Sequence, residues 1–291
     1  MPRPQMPETT MTQPIQIGRY NTLPITREAE AGLYLGSEDE EVLLPGKLVP
    51  EGAEVGSELT VFVYTDSEDR SVATTQTPKA VVGDFALLEV IDLSPHGAFL
   101  DWGLDKDLFA PFKQQIRRLS LGDRLVFAVS LDERSNRVIA SSQLRTFFDY
   151  DVSEVRADDE VNLLVYDENA LGSLVVVDGR HTGLVYRGEA SRELRVGDRL
   201  TGFVKLVRPD NKLDIRLQRT GPAAIDDATQ TLLDALIKNG GHLPLHDKSD
   251  PAEIRARLAL SKKAFKRALG ALYKARRVEL LPDGVKLLDK E

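Results

Sequence analysis

Up to about residue 217 the chain runs in short stretches where apolar and polar residues alternate; beyond residue 222 the apolar residues recur at helical spacing. The first pattern predicts strands and the second helices. The strand-like part is itself periodic. Val55-Gly56-Ser57-Glu58-Leu59 leads to Gln76, Leu121-Gly122-Asp123-Arg124-Leu125 to Gln143, and Val196-Gly197-Asp198-Arg199-Leu200 to Gln218. Three copies of one phrase predict three similar units of roughly 60–75 residues each.

In the first unit, strands are expected at 32–36, 42–44 and 59–64, with 72–75 following a charged turn at 66–70. The second reads as five strands at 85–93, 97–102, 108–110, 125–131 and 138–140. The third reads likewise at 161–167, 173–177, 183–186, 200–208 and 213–217, with turns at Asp178-Gly179 and Pro209-Asp210-Asn211. Five short strands with Gly at the bends suit a Greek-key barrel of the OB type, which removes most free strand edges and offers one face to a single strand.

After Pro222, Leu232, Leu233, Leu236 and Ile237 form the apolar stripe of a helix that stops at Asn239-Gly240-Gly241. Asp250-Pro251-Ala252-Glu253 is a helix start, and that helix runs to about Leu258. Ser261 caps a third helix over 262–277, and Pro282-Asp283-Gly284 turns a closing hairpin. Helix, short strand, helix, turn, helix and hairpin make the winged-helix order. The fold class is therefore mainly β with an α/β tail: three tandem five-stranded barrels and a winged helix. The expected divisions are a disordered tail at 1–16, barrels at 17–78, 79–146 and 154–220, and the winged helix at 224–291.

Composition narrows the picture. The chain has 291 residues, 42% hydrophobic and 29% charged, ordinary for a soluble globular protein. No stretch approaches the ~20 apolar residues of a membrane span, and the polar, Pro-rich start lacks the regions of a signal peptide. The absence of Cys removes disulfides, thiolate metal sites and Cys nucleophiles, and fits a cytoplasmic location. The net charge of −8 is uneven. Residues 222–291 carry 13 basic against 10 acidic residues, whereas 28–69 hold twelve acids and a single base, Lys47. Such an acidic first unit repels phosphates and suits a solubilising or partner-facing surface.

Several segments resemble S1-type RNA-binding domains. Gly97-Ala98-Phe99-Leu100 is similar to the Gly-Ala-Phe-Val turn of that family, and Gly183-Leu184-Val185-Tyr186 to its Gly-Leu-Val-His strand. The whole order, with the stretch from Gly202 through Arg208-Pro209-Asp210-Asn211 to Ile215, resembles the conserved virulence factor B (YitL-like) family. That resemblance covers about residues 17–290. It implies three S1-type barrels with a C-terminal winged helix, and RNA binding in the regulation of gene expression without known enzymatic activity. The chain departs from the S1 pattern in places. Ser94-Pro95-His96 stands where an aromatic usually precedes Gly-Ala-Phe. The usual His is Tyr186 in the third unit and falls at about Ala110 in the second; the Phe position of the third is Leu174.

Single-strand binders stack bases on exposed rings and neutralise phosphates with Lys and Arg. Phe99 holds the family's stacking position, or else fills the barrel, and His96 beside it can stack or bond a base. Trp102, three residues on, falls on the opposite face by strand alternation. In the third unit Tyr186 and Arg187 lie near Lys205, Arg208, Lys212 and Arg216, a basic strand face that either grips RNA or closes into cross-strand ion pairs. Seven bases and no acid lie between Ser261 and Val278. Five of them, Lys262, Lys263, Lys266, Arg267 and Lys274, span roughly 140° of the helix.

Catalysis finds little support: no phosphate loop, dinucleotide fingerprint or nucleophile elbow is present. His242 and His246 are separated by Pro244, which spoils a helical metal pair. The expectation is a non-enzymatic protein without cofactor or metal, binding single-stranded RNA. Ribosomal or RNA-processing proteins are further expected partners, with no membrane association and a monomer favoured. The competing readings are a winged-helix DNA-binding regulator and an interaction scaffold.

Overall fold

The computed structural model describes residues 14–37, 39–66, 68, 70–190, 192–218 and 221–288, with backbone alone for 221–226. Three closed five-stranded barrels follow one another. The first contains β1 (Arg19–Ala29), β2 (Gly32–Gly36), β3 (Glu41–Pro45), β4 (Glu58–Thr65) and β5 (Ser71–Thr74). The second contains β6 (Phe85–Ser94), β7 (Gly97–Leu100), β8 (Leu108–Pro111), β9 (Arg124–Asp132) and β10 (Arg137–Ser141). The third contains β11 (Glu160–Glu168), β12 (Gly172–Val177), β13 (His181–Tyr186), β14 (Arg199–Val207) and β15 (Leu213–Arg216). In each, the first strand pairs antiparallel with the second and fourth, and the third closes on the fifth in parallel.

Strand β1 was not expected. Its sequence contains Pro24, which normally demotes a strand. Here Pro24 stands at the hand-over between ladders: residues 19–24 pair with β4, and from Ile25 onward the strand pairs with β2. Of the tail expected at 1–16, residues 1–13 lie outside the described residues, and Ile15 packs against the core of the first barrel.

The recurrent phrase has a physical cause. Each first strand bulges, the register slipping between Ile25 and Arg27, Val90 and Asp92, and Val165 and Asp167. A bulge frees backbone groups from the ladder. The phrase's glycine takes them up: Gly56, Gly122 and Gly197 donate to the carbonyls of Ile25, Val90 and Val165, each at 2.8 Å. The next residue accepts in return, Ser57 from Ile25 at 2.8 Å, Asp123 from Val90 and Asp198 from Val165 at 2.9 Å. The three glycines sit at φ +93, +81 and +94, where a side chain would be strained. In the second and third barrels the Asp carboxylate also accepts from an Arg six residues earlier, Arg117 to Asp123 at 2.7 Å and Arg192 to Asp198 at 2.6 Å.

The barrels share apolar seams. Phe62 and Tyr64 of β4 join the core cluster of the second barrel around Trp102. Phe85, Val126 and Phe148 pack with Leu164 and Val176 of the third. Lys47 pairs with Asp105 across the first seam, and Gln76 donates to the same carboxylate at 2.8 Å.

The C-terminal unit comprises α1 (Gly221–Lys238), β16 (His242–Leu243), α2 (Pro251–Leu258), α3 (Lys262–Lys274), β17 (Val278–Leu281) and β18 (Gly284–Leu287). Asp250 caps α2 by accepting from the Ala252 amide at 2.7 Å, and Ser261 caps α3 through the Ala264 amide at 3.2 Å. Leu232, Leu236, Ile254 and Phe265 are fully buried in its core. Two expectations need correction. Ile237, placed on the apolar stripe, is 63% exposed, one position too far around the helix. The third helix ends at Lys274 rather than 277, because Arg276 turns into the left-handed region at φ 54.

Candidate nucleic-acid interface

The second barrel presents two rings side by side. β7 and β8 pair with Phe99 opposite Phe109, and the ring centroids lie 5.2 Å apart, tilted at 45°. Leu100, Leu108 and Ala110 point inward and are buried, so alternation turns Phe99 and Phe109 outward, where both are half-buried. Gly97 makes room for the pair: a Cβ there would stand 2.8 Å from the Phe109 ring and 2.3 Å from the Ala110 carbonyl oxygen. The rings line a cavity of about 490 Å³ together with His96, Asp107, Arg137 and, from the first barrel, Tyr64. That volume and the mainly apolar lining fall in the range of small-ligand sites. Trp102 lines the same cavity. Its expected position opposite Phe99 is thus corrected: β7 ends at Leu100, so alternation does not extend to residue 102. Its side chain is buried, and the indole N–H donates to the Ala80 carbonyl at 2.8 Å.

The strand registers superimpose the barrels. Leu174 opposite Leu184 in the third, and Tyr34 opposite Leu43 in the first, occupy the places of Phe99 and Phe109. Only the second barrel carries two rings there. The face of Tyr34 is already covered by the Arg27 guanidinium, 3.5 Å from the ring centroid. The same registers set Tyr186 opposite Gly172, and Pro111 opposite Gly97, so the second barrel's counterpart of Tyr186 is Pro111 and not Ala110.

In the third barrel the expected basic face is an ion-pair lattice. Arg187 meets Glu168 at 3.3 Å, Lys205 meets Glu189 at 3.1 Å, and Arg208 and Lys212 share Asp210 at 3.2 and 3.1 Å. Arg216 binds Asp158. Tyr186 is half-buried, donates its hydroxyl to Asp214 at 3.3 Å, and carries the Lys205 ammonium 5.7 Å from its ring centroid. The neighbouring Lys212 and Arg208 hold the Asp210 carboxyl below its ordinary range, Lys212 by hydrogen bond first.

On α3 the picture differs. Phe265, Ala268, Leu269 and Leu272 face the core, while Lys263, Lys266, Arg267 and Lys274 are exposed on the other side. Lys263, Lys266 and Lys274 form no ion pair among the described residues. Lys262 is half-buried, and its ammonium donates to the Lys248 carbonyl at 3.4 Å. Arg276 and Arg277 fall beyond the helix.

Sequence reading singled out Phe99 and His96 but not Phe109, Asp107 or Arg137. The alternation of Leu108, Phe109 and Ala110 already turned Phe109 outward; the link to Arg137 required the parallel closure of β8 on β10, where Phe109 pairs with Ile139. Among the described residues no group of three or more His, Asp or Glu could hold a metal ion, and no helix is long and apolar enough to cross a membrane.

Residues 17–76 match the S1 domain family, and residues 230–287 match the CvfB-like winged helix domain. YitL of Bacillus subtilis is 30% identical over 266 residues, covering 88% of this chain and 89% of its own. Conserved virulence factor B of Staphylococcus aureus is 24% identical over 246 residues, 81% of each chain. Among solved structures, a multidomain protein with nucleic acid binding domains from Streptococcus pneumoniae aligns over 94% of this chain and 98% of its own. The alignment has 23% identity and a TM-score of 0.40. The S1 and winged-helix matches support nucleic-acid binding, and neither family is an enzymatic one. In matched segments and in 30% identity to YitL over 88% of its length, this chain belongs to the conserved virulence factor B family.

Proposed function

We propose that the protein is a non-enzymatic, cytoplasmic regulator that binds single-stranded RNA. The observation that carries this reading is the outward Phe99–Phe109 pair, 5.2 Å apart on the barrel face that S1-type domains offer to a strand. Two adjacent rings accept unpaired bases, each stack contributing ~1–3 kcal/mol, and duplex bases cannot reach them. His96 and Arg137 border the rings, and the exposed Lys263, Lys266, Arg267 and Lys274 of α3, with Lys262 beside them, supply the phosphate contacts. Tyr186, Arg187, Lys205, Arg208, Lys212 and Arg216 take a secondary part, because each must exchange an existing partner before it meets RNA. The boundaries proposed for the four units are 17–78, 79–146, 154–220 and 224–291.

Family membership supports a role in post-transcriptional control, with ribosomal or RNA-processing proteins as further partners of the acidic first barrel. The test is a titration of fluorescent single-stranded RNA, single-stranded DNA and duplex DNA of equal length at low and physiological salt. RNA-favoured binding that weakens with salt is expected. Preference for duplex DNA would instead support a winged-helix DNA regulator, the reading that the exposed cations of α3 favour, and overturn the RNA assignment.

A further inference from the structure

The wall of the aromatic cavity carries a polar pair that stacking alone leaves unused. Lys106 and Asp107 stand side by side immediately before β8, and both line the cavity. The Lys106 ammonium is anchored at the rim by donating to the Thr65 carbonyl of the first barrel at 2.6 Å. Asp107 is half-buried and, among the described residues, receives no hydrogen bond and forms no ion pair. A half-buried carboxylate with two acceptor oxygens and no protein donor keeps its acceptors open to solvent or to a ligand's N–H groups.

We propose that this cavity selects guanine: the base stacks on Phe99 and Phe109 while its N1–H and amino group donate to the Asp107 carboxylate. This rests on the nucleic-acid reading above. The argument is one of edges. Along its Watson–Crick side guanine presents acceptor, donor, donor; a carboxylate presents two acceptors side by side. Uracil offers acceptor, donor, acceptor, so one carbonyl faces a carboxylate oxygen. Cytosine runs in the opposite sense, and adenine has a single donor beside a ring acceptor. Only guanine gives both carboxylate oxygens a proton, and unstacked bases are read on this edge in single strands. Burial, reinforced by the like charges of Asp101 and Asp92, pushes the Asp107 carboxyl up.

The test uses the full chain and fluorescein-labelled 12-nucleotide RNAs: all-uridine, and the same strand with one central guanosine, adenosine or cytidine. For the unmodified protein a single guanosine is expected to tighten binding by about tenfold, with adenosine and cytidine near the all-uridine value. In Asp107→Asn one acceptor becomes a donor, so the advantage of the guanosine strand over the all-uridine strand should vanish. Among the described residues Asp107 has no partner to lose, and an unchanged thermal midpoint would confirm that the variant folds. Equal affinity of the unmodified protein for all four strands, with normal salt dependence, would overturn the guanine assignment alone. So would a guanosine preference that survives in Asp107→Asn. Should Asp107→Asn fail to fold, the four-strand comparison on the unmodified protein still decides. Absence of binding to every strand at low salt would overturn the nucleic-acid reading and this assignment with it.

Discussion

The indole of Trp102 stands edge-on to the ring of Phe62, with centroids 5.5 Å apart and planes at 84°. One residue belongs to the second barrel and the other to the first, and Tyr64 adds a second edge-on contact at 6.4 Å. This is where the first two barrels meet. Trp102→Ala empties the centre of that seam and should lower stability by about 3–5 kcal/mol, with Trp102→Phe losing less. Chemical denaturation checks this. Trp102 is the only tryptophan and is 2% exposed, so its emission should shift to the red when the seam opens.

Two glycine substitutions should separate strain from collision. Gly122 sits at φ +81 with open space where a Cβ would go. Gly122→Ala should therefore lose about 1–2 kcal/mol to backbone strain and leave binding intact. At Gly97 the new methyl would meet the Ala110 carbonyl and the Phe109 ring. Gly97→Ala should cost about 3 kcal/mol and weaken single-strand binding as well, since Phe109 must move. Thermal melts and RNA titrations on both variants provide the comparison.

The contrast between α3 and the third barrel is open to a salt titration. Replacing Lys263, Lys266 and Lys274 together by Ala should leave the melting temperature nearly unchanged and reduce the slope of log affinity against log salt by about 2 for a single-stranded ligand. Lys212→Ala should change that slope little, because its charge is already balanced by Asp210. Equal effects of the two substitutions would count against the division.

Acid should loosen the closures that repeat along the chain. Arg117 and then the Ser120 amide hold the Asp123 carboxyl below the usual carboxylate range; the Arg195 amide and then Arg192 do the same for Asp198. A depressed folded value means that the stabilisation is present above the unfolded value near pH 4 and is lost as pH falls through the folded one. The double variant Asp123→Asn, Asp198→Asn should be less stable than the unmodified protein at pH 7. That gap should narrow steadily below about pH 5. Denaturation midpoints at pH 7, 5 and 3.5 measure it.

Much of this architecture was legible because local rules and the tertiary fold agree. The glycine phrase marked each barrel since its amide must close a bulge, and Asp250 and Ser261 marked helices they do cap. Strand β1 escaped because Pro24 breaks the local pattern, and only the exchange of partners between β4 and β2 makes it tolerable. The third barrel's cations were visible as charges and ion pairing was one of two readings, but the partners were not, since Glu168 and Asp158 reach Arg187 and Arg216 only through the barrel's closure. Phe99 was found by resemblance. Its companion Phe109, and the carboxylate of Asp107 in the same wall, needed the strand register and the seam with the first barrel.

The apolar seams at Trp102 and at Phe148 leave little slack between successive barrels. On the proposed RNA-binding reading, a strand spanning them would meet successive barrel faces at fixed intervals. The protein would then measure how many nucleotides separate two unpaired stretches, a property that no single barrel possesses.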